Sequence, residues 1–141
     1  MSLMARWLFA GLLVLQAHFA VSYLVPLDKQ SQGEFGGLLQ VAWPWAYGNG
    51  GPLGQITMGT GFPIAGFYLA VIAGVLLIMA ALAVGGLWVP FAWWRALAVG
   101  GAVVSLVLMT LFLGPTKLVP MAGDFAVLAL TLTAWMPLTA R

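Results

Sequence analysis

His18 is the one histidine of the chain, and it stands two residues after Gln16 and four before Ser22 inside an apolar run. Residues four apart share a helical face, so His18 and Ser22 project together, with Leu15 on the same stripe. A neutral imidazole in that setting can ligate haem iron, hydrogen-bond a quinone carbonyl or move protons. His18, Gln16 and Ser22 are therefore the candidate cofactor-binding residues, with quinone or haem as the candidate cofactor. The competing use of these side chains is an interhelical hydrogen bond, worth about 1 kcal/mol in membrane helix pairs. A bis-histidine haem would need a second subunit, whereas His–Met ligation stays open to a chain with seven methionines.

No other residue pattern reads as an active site. Asp28 and Glu34 are six apart in a hydrated stretch, and no acid lies near His18 to orient it for nucleophilic catalysis by a serine. Asp124 precedes the apolar part of the last hydrophobic segment, where a carboxylate can cap free amides, and Lys117 is close enough in sequence to pair with it. The absence of cysteine excludes disulfides, thiolate metal sites and a thiol nucleophile. The glycine tract Gly48-Asn49-Gly50-Gly51-Pro52-Leu53-Gly54 has no lysine near it for a phosphate loop. It also misses the dinucleotide fingerprint, whose sixth position is Leu53 when counted from Gly48. The five basic residues, Arg6, Lys29, Arg95, Lys117 and Arg141, are scattered, so the sequence offers no clustered surface for nucleic acid. We expect no catalytic residues, no metal site and no catalytic activity of the chain's own.

The elements that must position these residues follow from composition. Of 141 residues, 63% are hydrophobic and 6% charged, whereas about a quarter of a soluble domain is charged and disorder requires low hydrophobicity. The class is an integral membrane protein. A span needs roughly 20 apolar residues to cross about 30 Å of hydrocarbon, and the sequence predicts spans at about 7–25, 62–87, 95–113 and 119–138. The last is interrupted at its start by Pro120, Gly123 and Asp124, and is short if it begins after them. The expected fold is all-α: a single membrane domain over 1–141, built as a four-transmembrane-helix bundle with a long external loop, about 26–61, between helices 1 and 2. Trp88-Val89-Pro90-Phe91 predicts a tight hairpin between the second and third spans. Gly66, Ala70 and Gly74 on one span, and Gly101 with Ser105 on the next, recur every fourth position, as helix faces do when backbones approach closely. Every charge is expected at a span end or in a loop.

Within the long loop, Trp43, Trp45 and Tyr47 form an aromatic segment suited to the membrane surface or to docking a partner. Arg6, Arg95 and Arg141 fall on one side and Lys29 and Lys117 on the other, which predicts a cytoplasmic N-terminus and C-terminus. Arg6 followed by an apolar run and Ala20-Val21-Ser22 also has the form of a secretory signal; we read the segment as a retained helix. The lipid bilayer and other membrane subunits are the expected partners, and the bacterial cytoplasmic (inner) membrane the expected location.

The run Arg6 to Tyr23, the Gly74 to Leu113 hairpin and its turn Gly85-Gly86-Leu87-Trp88-Val89-Pro90 resemble the DoxX-like membrane protein family. That resemblance implies a small four-helix subunit associated with quinone-linked sulfur or redox metabolism; the segment Trp43 to Gly54 departs from it. The leading expectation is an accessory subunit of a larger respiratory or photosynthetic electron-transfer complex. The alternatives are a quinone-reactive or haem-binding redox subunit using His18, and an oligomeric small-molecule transporter or channel.

Overall fold

The computed structural model describes residues 3–22, 62–111 and 117–133. Among them are four α-helices: α1 (Leu3–Val21), α2 (Phe62–Gly85), α3 (Trp94–Leu111) and α4 (Leu118–Leu132), with one 3₁₀ turn, Phe91–Trp93, leading into α3. The aromatic segment Trp43, Trp45 and Tyr47 lies outside the described residues. α1, α2 and the Phe91–Leu111 segment are long and apolar enough to cross a membrane, and α4 is a shorter apolar helix. At 1.5 Å per residue the 15 residues of α4 extend about 22 Å, against about 30 Å of hydrocarbon.

α2 lies between α1 and α3, while α4 packs on α3 and touches α1. The seams are built where side chains are smallest. A Cβ on Gly101 would stand 2.7 Å from Leu77 Cγ and 3.1 Å from the Leu77 backbone nitrogen, so α2 and α3 are at glycine-limited separation. A Cβ on Gly74 would collide with the Val21 side chain, which locks α1 onto α2. Between these seams Leu13, Leu77, Ala80, Val84, Ala98, Ala102 and Val127 are buried from all four helices.

The connection from α2 to α3 is made by backbone bonds. Gly86 adopts φ 75°. Its amide donates to the Ala83 carbonyl at 3.1 Å and the Leu87 amide donates to Leu82 at 2.8 Å, the paired closure that ends many helices at a left-handed glycine. That satisfies two of the last carbonyls of α2. A third, on Val84, accepts from Arg6 Nε of α1, and the same guanidinium lies 5.4 Å from the centre of the Phe91 ring. One cation thus ties the start of α1, the end of α2 and the entry to α3, where the negative end of the α2 dipole favours it. Arg95 stacks on Trp94 at 5.3 Å on the same end. Trp7, Trp88 and Trp93 are exposed around it, the placement indole rings take at a membrane–water boundary.

One helix start and one expected interruption differ from the sequence expectation. α1 begins at Leu3, which puts Arg6 inside its first turns and lets it reach Val84. α4 begins at Leu118 and runs through Pro120, Gly123 and Asp124 without a break. Pro120 is the third residue of that helix, where the amide has no intrahelical acceptor, so the missing N–H costs nothing there. Asp124 consequently sits in the helix interior and does not cap it; the N-cap is Lys117, with no side-chain capping bond.

Gly101→Ala should lower stability by about 1–3 kcal/mol by overpacking against Leu77. Gly11→Ala, at a position with nothing within 4 Å, should be neutral or stabilising by up to about 1 kcal/mol. Thermal melting of the detergent-solubilised pair checks both. In the same assay Arg6→Ala, which strips the Val84 carbonyl of its donor, should cost about 1–2 kcal/mol.

Candidate functional site

The three sequence-chosen residues of α1 do not gather in one place. Gln16 and His18 are two residues apart, about 200° around a helix of 3.6 residues per turn, and so face opposite ways. Gln16 belongs to the buried stripe Phe9, Leu13, Gln16 and Ala20 and points at α4. His18 is half-buried on the other side, where it lines an apolar groove of about 500 Å³ between α1 and α2. Val14, Ala17, Val21, Gly74, Ile78 and Met79 are among the groove's other walls. The His18 ring sits 6.3 Å from that of Phe19, tilted by 46°. Ser22 is buried and donates to the Phe19 carbonyl at 2.6 Å, the local back-bonding that lets a hydroxyl sit on an apolar helix. Thr131 does the same to Val127 at 2.6 Å.

A second polar group, on α1, α3 and α4, emerges only from the packing. Gln16, Ser105 and Asp124 are at most 1% exposed. The Gln16 carboxamide fills the space a side chain on Gly123 would take: a Cβ there would overlap its Nε2 and stand 2.7 Å from its Cδ and 3.2 Å from its Oε1. Ser105, from the buried stripe of α3, faces the Asp124 carboxyl, but the pair does not complete a hydrogen bond. Gln16 Oε1, Ser105 Oγ and both Asp124 carboxylate oxygens are buried without a completed hydrogen bond, and Asp124 makes none to Lys117. Counted at 1.5 Å per residue, Gln16 is ten residues from Arg6 and Ser105 eleven from Trp94. Both therefore lie about 15 Å from the arginine–tryptophan rim, half the thickness of a hydrocarbon layer.

This arrangement overturns the expectation that all charges stay at span ends, and the reason is the continuous helix through Pro120. Lys117, ahead of α4 and outside the three long helices, is also buried, and desolvation pulls its ammonium down to about 8. Among the described residues no three of His, Cys, Asp and Glu come together as a metal-ligand group. Gln16 was chosen from the sequence as a neighbour of His18. Its pairing with Gly123 carried a faint signal: a glycine beside an acid within an apolar stretch marks a close approach as readily as a helix break.

No protein-family model, curated protein or solved structure matches this chain. The resemblance to DoxX-like proteins rests on the residues quoted for it.

The Gly123 contact is testable by coupling. Gly123→Ala should destabilise by about 1–3 kcal/mol because the new methyl displaces the Gln16 carboxamide. In the Gln16→Ala background the same change should cost far less, a non-additivity that a double-mutant cycle of melting free energies measures. Additive costs would place Gln16 elsewhere.

Proposed function

We propose that this chain is a small accessory subunit of the bacterial cytoplasmic membrane, packed in the bilayer against a larger respiratory or photosynthetic electron-transfer assembly. One observation carries the reading: α4 is too short to cross the hydrocarbon unaided, yet it turns Leu118, Val119, Phe125 and Leu132 outward, each 58–70% exposed. A short apolar helix either thins the bilayer around it or is covered by a neighbouring helix, and the second outcome recruits a partner. The arginines at the rim support a cytoplasmic N-terminus, because Arg6 and Arg95 sit at the same end of the molecule and basic residues favour that side. A four-helix bundle, with α4 completing the set, is part of this proposal.

Extraction in mild detergent should recover the chain in a stoichiometric complex, and a photocrosslinker at Phe125 should link to one defined membrane protein. A stable lone protomer with no crosslink overturns the reading.

The groove beside His18 favours a second reading, a redox subunit that seats a quinone. Its walls are aliphatic apart from the imidazole, and a ligand pocket of that kind suits a molecule with an apolar tail and a polar head. Met79 lines the same groove, which keeps His–Met haem ligation within this alternative. Added ubiquinone or menaquinone should raise the melting temperature of the purified chain, and His18→Ala should remove at least part of that gain. An unchanged melting temperature together with a spectrum free of haem bands counts against both ligands.

A further inference from the structure

The buried oxygens of Gln16, Ser105 and Asp124 have no role in either reading above. Four polar atoms from three helices are shut away from solvent, none with a hydrogen-bonding partner. Inside a bilayer each such atom costs several kcal/mol, and an ionisable side chain at that depth marks a functional site by default. We propose that these residues form a binding site for one monovalent cation of the sodium type, with Asp124 supplying the charge and Gln16 Oε1 and Ser105 Oγ supplying neutral oxygens.

The ligand set selects the ion. A carboxylate, an amide carbonyl and a hydroxyl are hard oxygen donors, matched to hard cations rather than to metals that favour imidazole or thiolate. The set carries one negative charge. A divalent ion would leave a net positive charge buried at mid-depth, and calcium sites usually gather several acidic ligands. A proton on Asp124 would turn one carboxylate oxygen into a donor to a neighbouring acceptor, whereas a single cation draws several of these oxygens at once, and the sodium dependence below separates the two. Lys117 does not play this part itself. It stands seven residues before Asp124, about 10 Å along the helix axis, and neither carboxylate oxygen bonds to it.

The packing also explains how the donors are held. Gly123 removes the side chain that would keep Gln16 off α4. The Thr131 hydroxyl, further along the buried stripe of α4, is committed to its own helix and does not compete.

The test uses the full chain in detergent micelles. Radiolabelled sodium should bind saturably at about one ion per chain, and the melting temperature should rise by several degrees as sodium chloride replaces choline chloride at constant ionic strength. Ser105→Ala and Gln16→Ala should each weaken sodium binding at least tenfold. Asp124→Asn should abolish it, while Thr110→Val, on the exposed face of α3, should leave it unchanged. If Asp124→Asn does not fold, the two neutral variants and the wild-type isotherm decide. Absence of saturable sodium binding overturns the proposal, as does a melting temperature indifferent to sodium, or binding that survives Asp124→Asn. These outcomes are independent of whether a partner subunit co-purifies.

Discussion

Lipid tails are as apolar as leucine, so helices in a bilayer gain little by hiding hydrocarbon from one another, and close fit has to hold them together. The contact of Gly101 on Leu77 is where that constraint acts most directly. It fixes the separation of α2 and α3, and Gly74 under Val21 does the same for α1 and α2. With both spacings set by hydrogen-sized side chains, the alanines along α2 reach the interior beside Leu77 and Val84, and Ile72, Val75 and Ile78 turn outward. The buried stripes of α1 and α3 are then brought to face α4, and the polar atoms they carry have nowhere else to point.

The two ends of this arrangement differ in chemistry. At the rim, the carbonyls that end α2 are satisfied in sequence order: the glycine closure takes Leu82 and Ala83, and Arg6 takes Val84, while the Trp94 indole N–H is buried without a bond. Indole rings surround that end, and the guanidinium groups lie on aromatic faces. Halfway along the helices the balance reverses, and Gln16, Ser105 and Asp124 keep oxygens without protein donors. A chain this poor in charge spends one of its three acids there, which is why that layer carries the strongest chemical claim in the molecule.

Much of the architecture could be read from residue types. Trp88-Val89-Pro90-Phe91 marked the hairpin because the proline blocks helix continuation; the left-handed turn at Gly86 emerged only from the structure. Recurrent small residues marked the seams because only backbone approach makes such residues useful in lipid. Pro120 and Asp124 misled, since a proline within a hydrophobic run signals a break unless it falls in the first turn, and the position of that turn depends on where the chain leaves α3. The imidazole drew attention by its chemistry. Gln16 gained its significance from the helix opposite, which no local pattern specifies. Trp43, Trp45 and Tyr47 lie outside the described residues.

The Arg6 latch has a consequence for how the molecule is put together. Its acceptor is 78 residues further along the chain, and the ring it covers comes later still. The α2–α3 hairpin, whose contacts are local, can close on its own soon after it is made. The Arg6 latch on α1 cannot close until Val84 and Phe91 have both been synthesised. Until then Arg6 lacks the acceptor and the ring it meets in the folded molecule, so this latch closes only after the turn between α2 and α3 has been made, and its closure reports that the turn is complete.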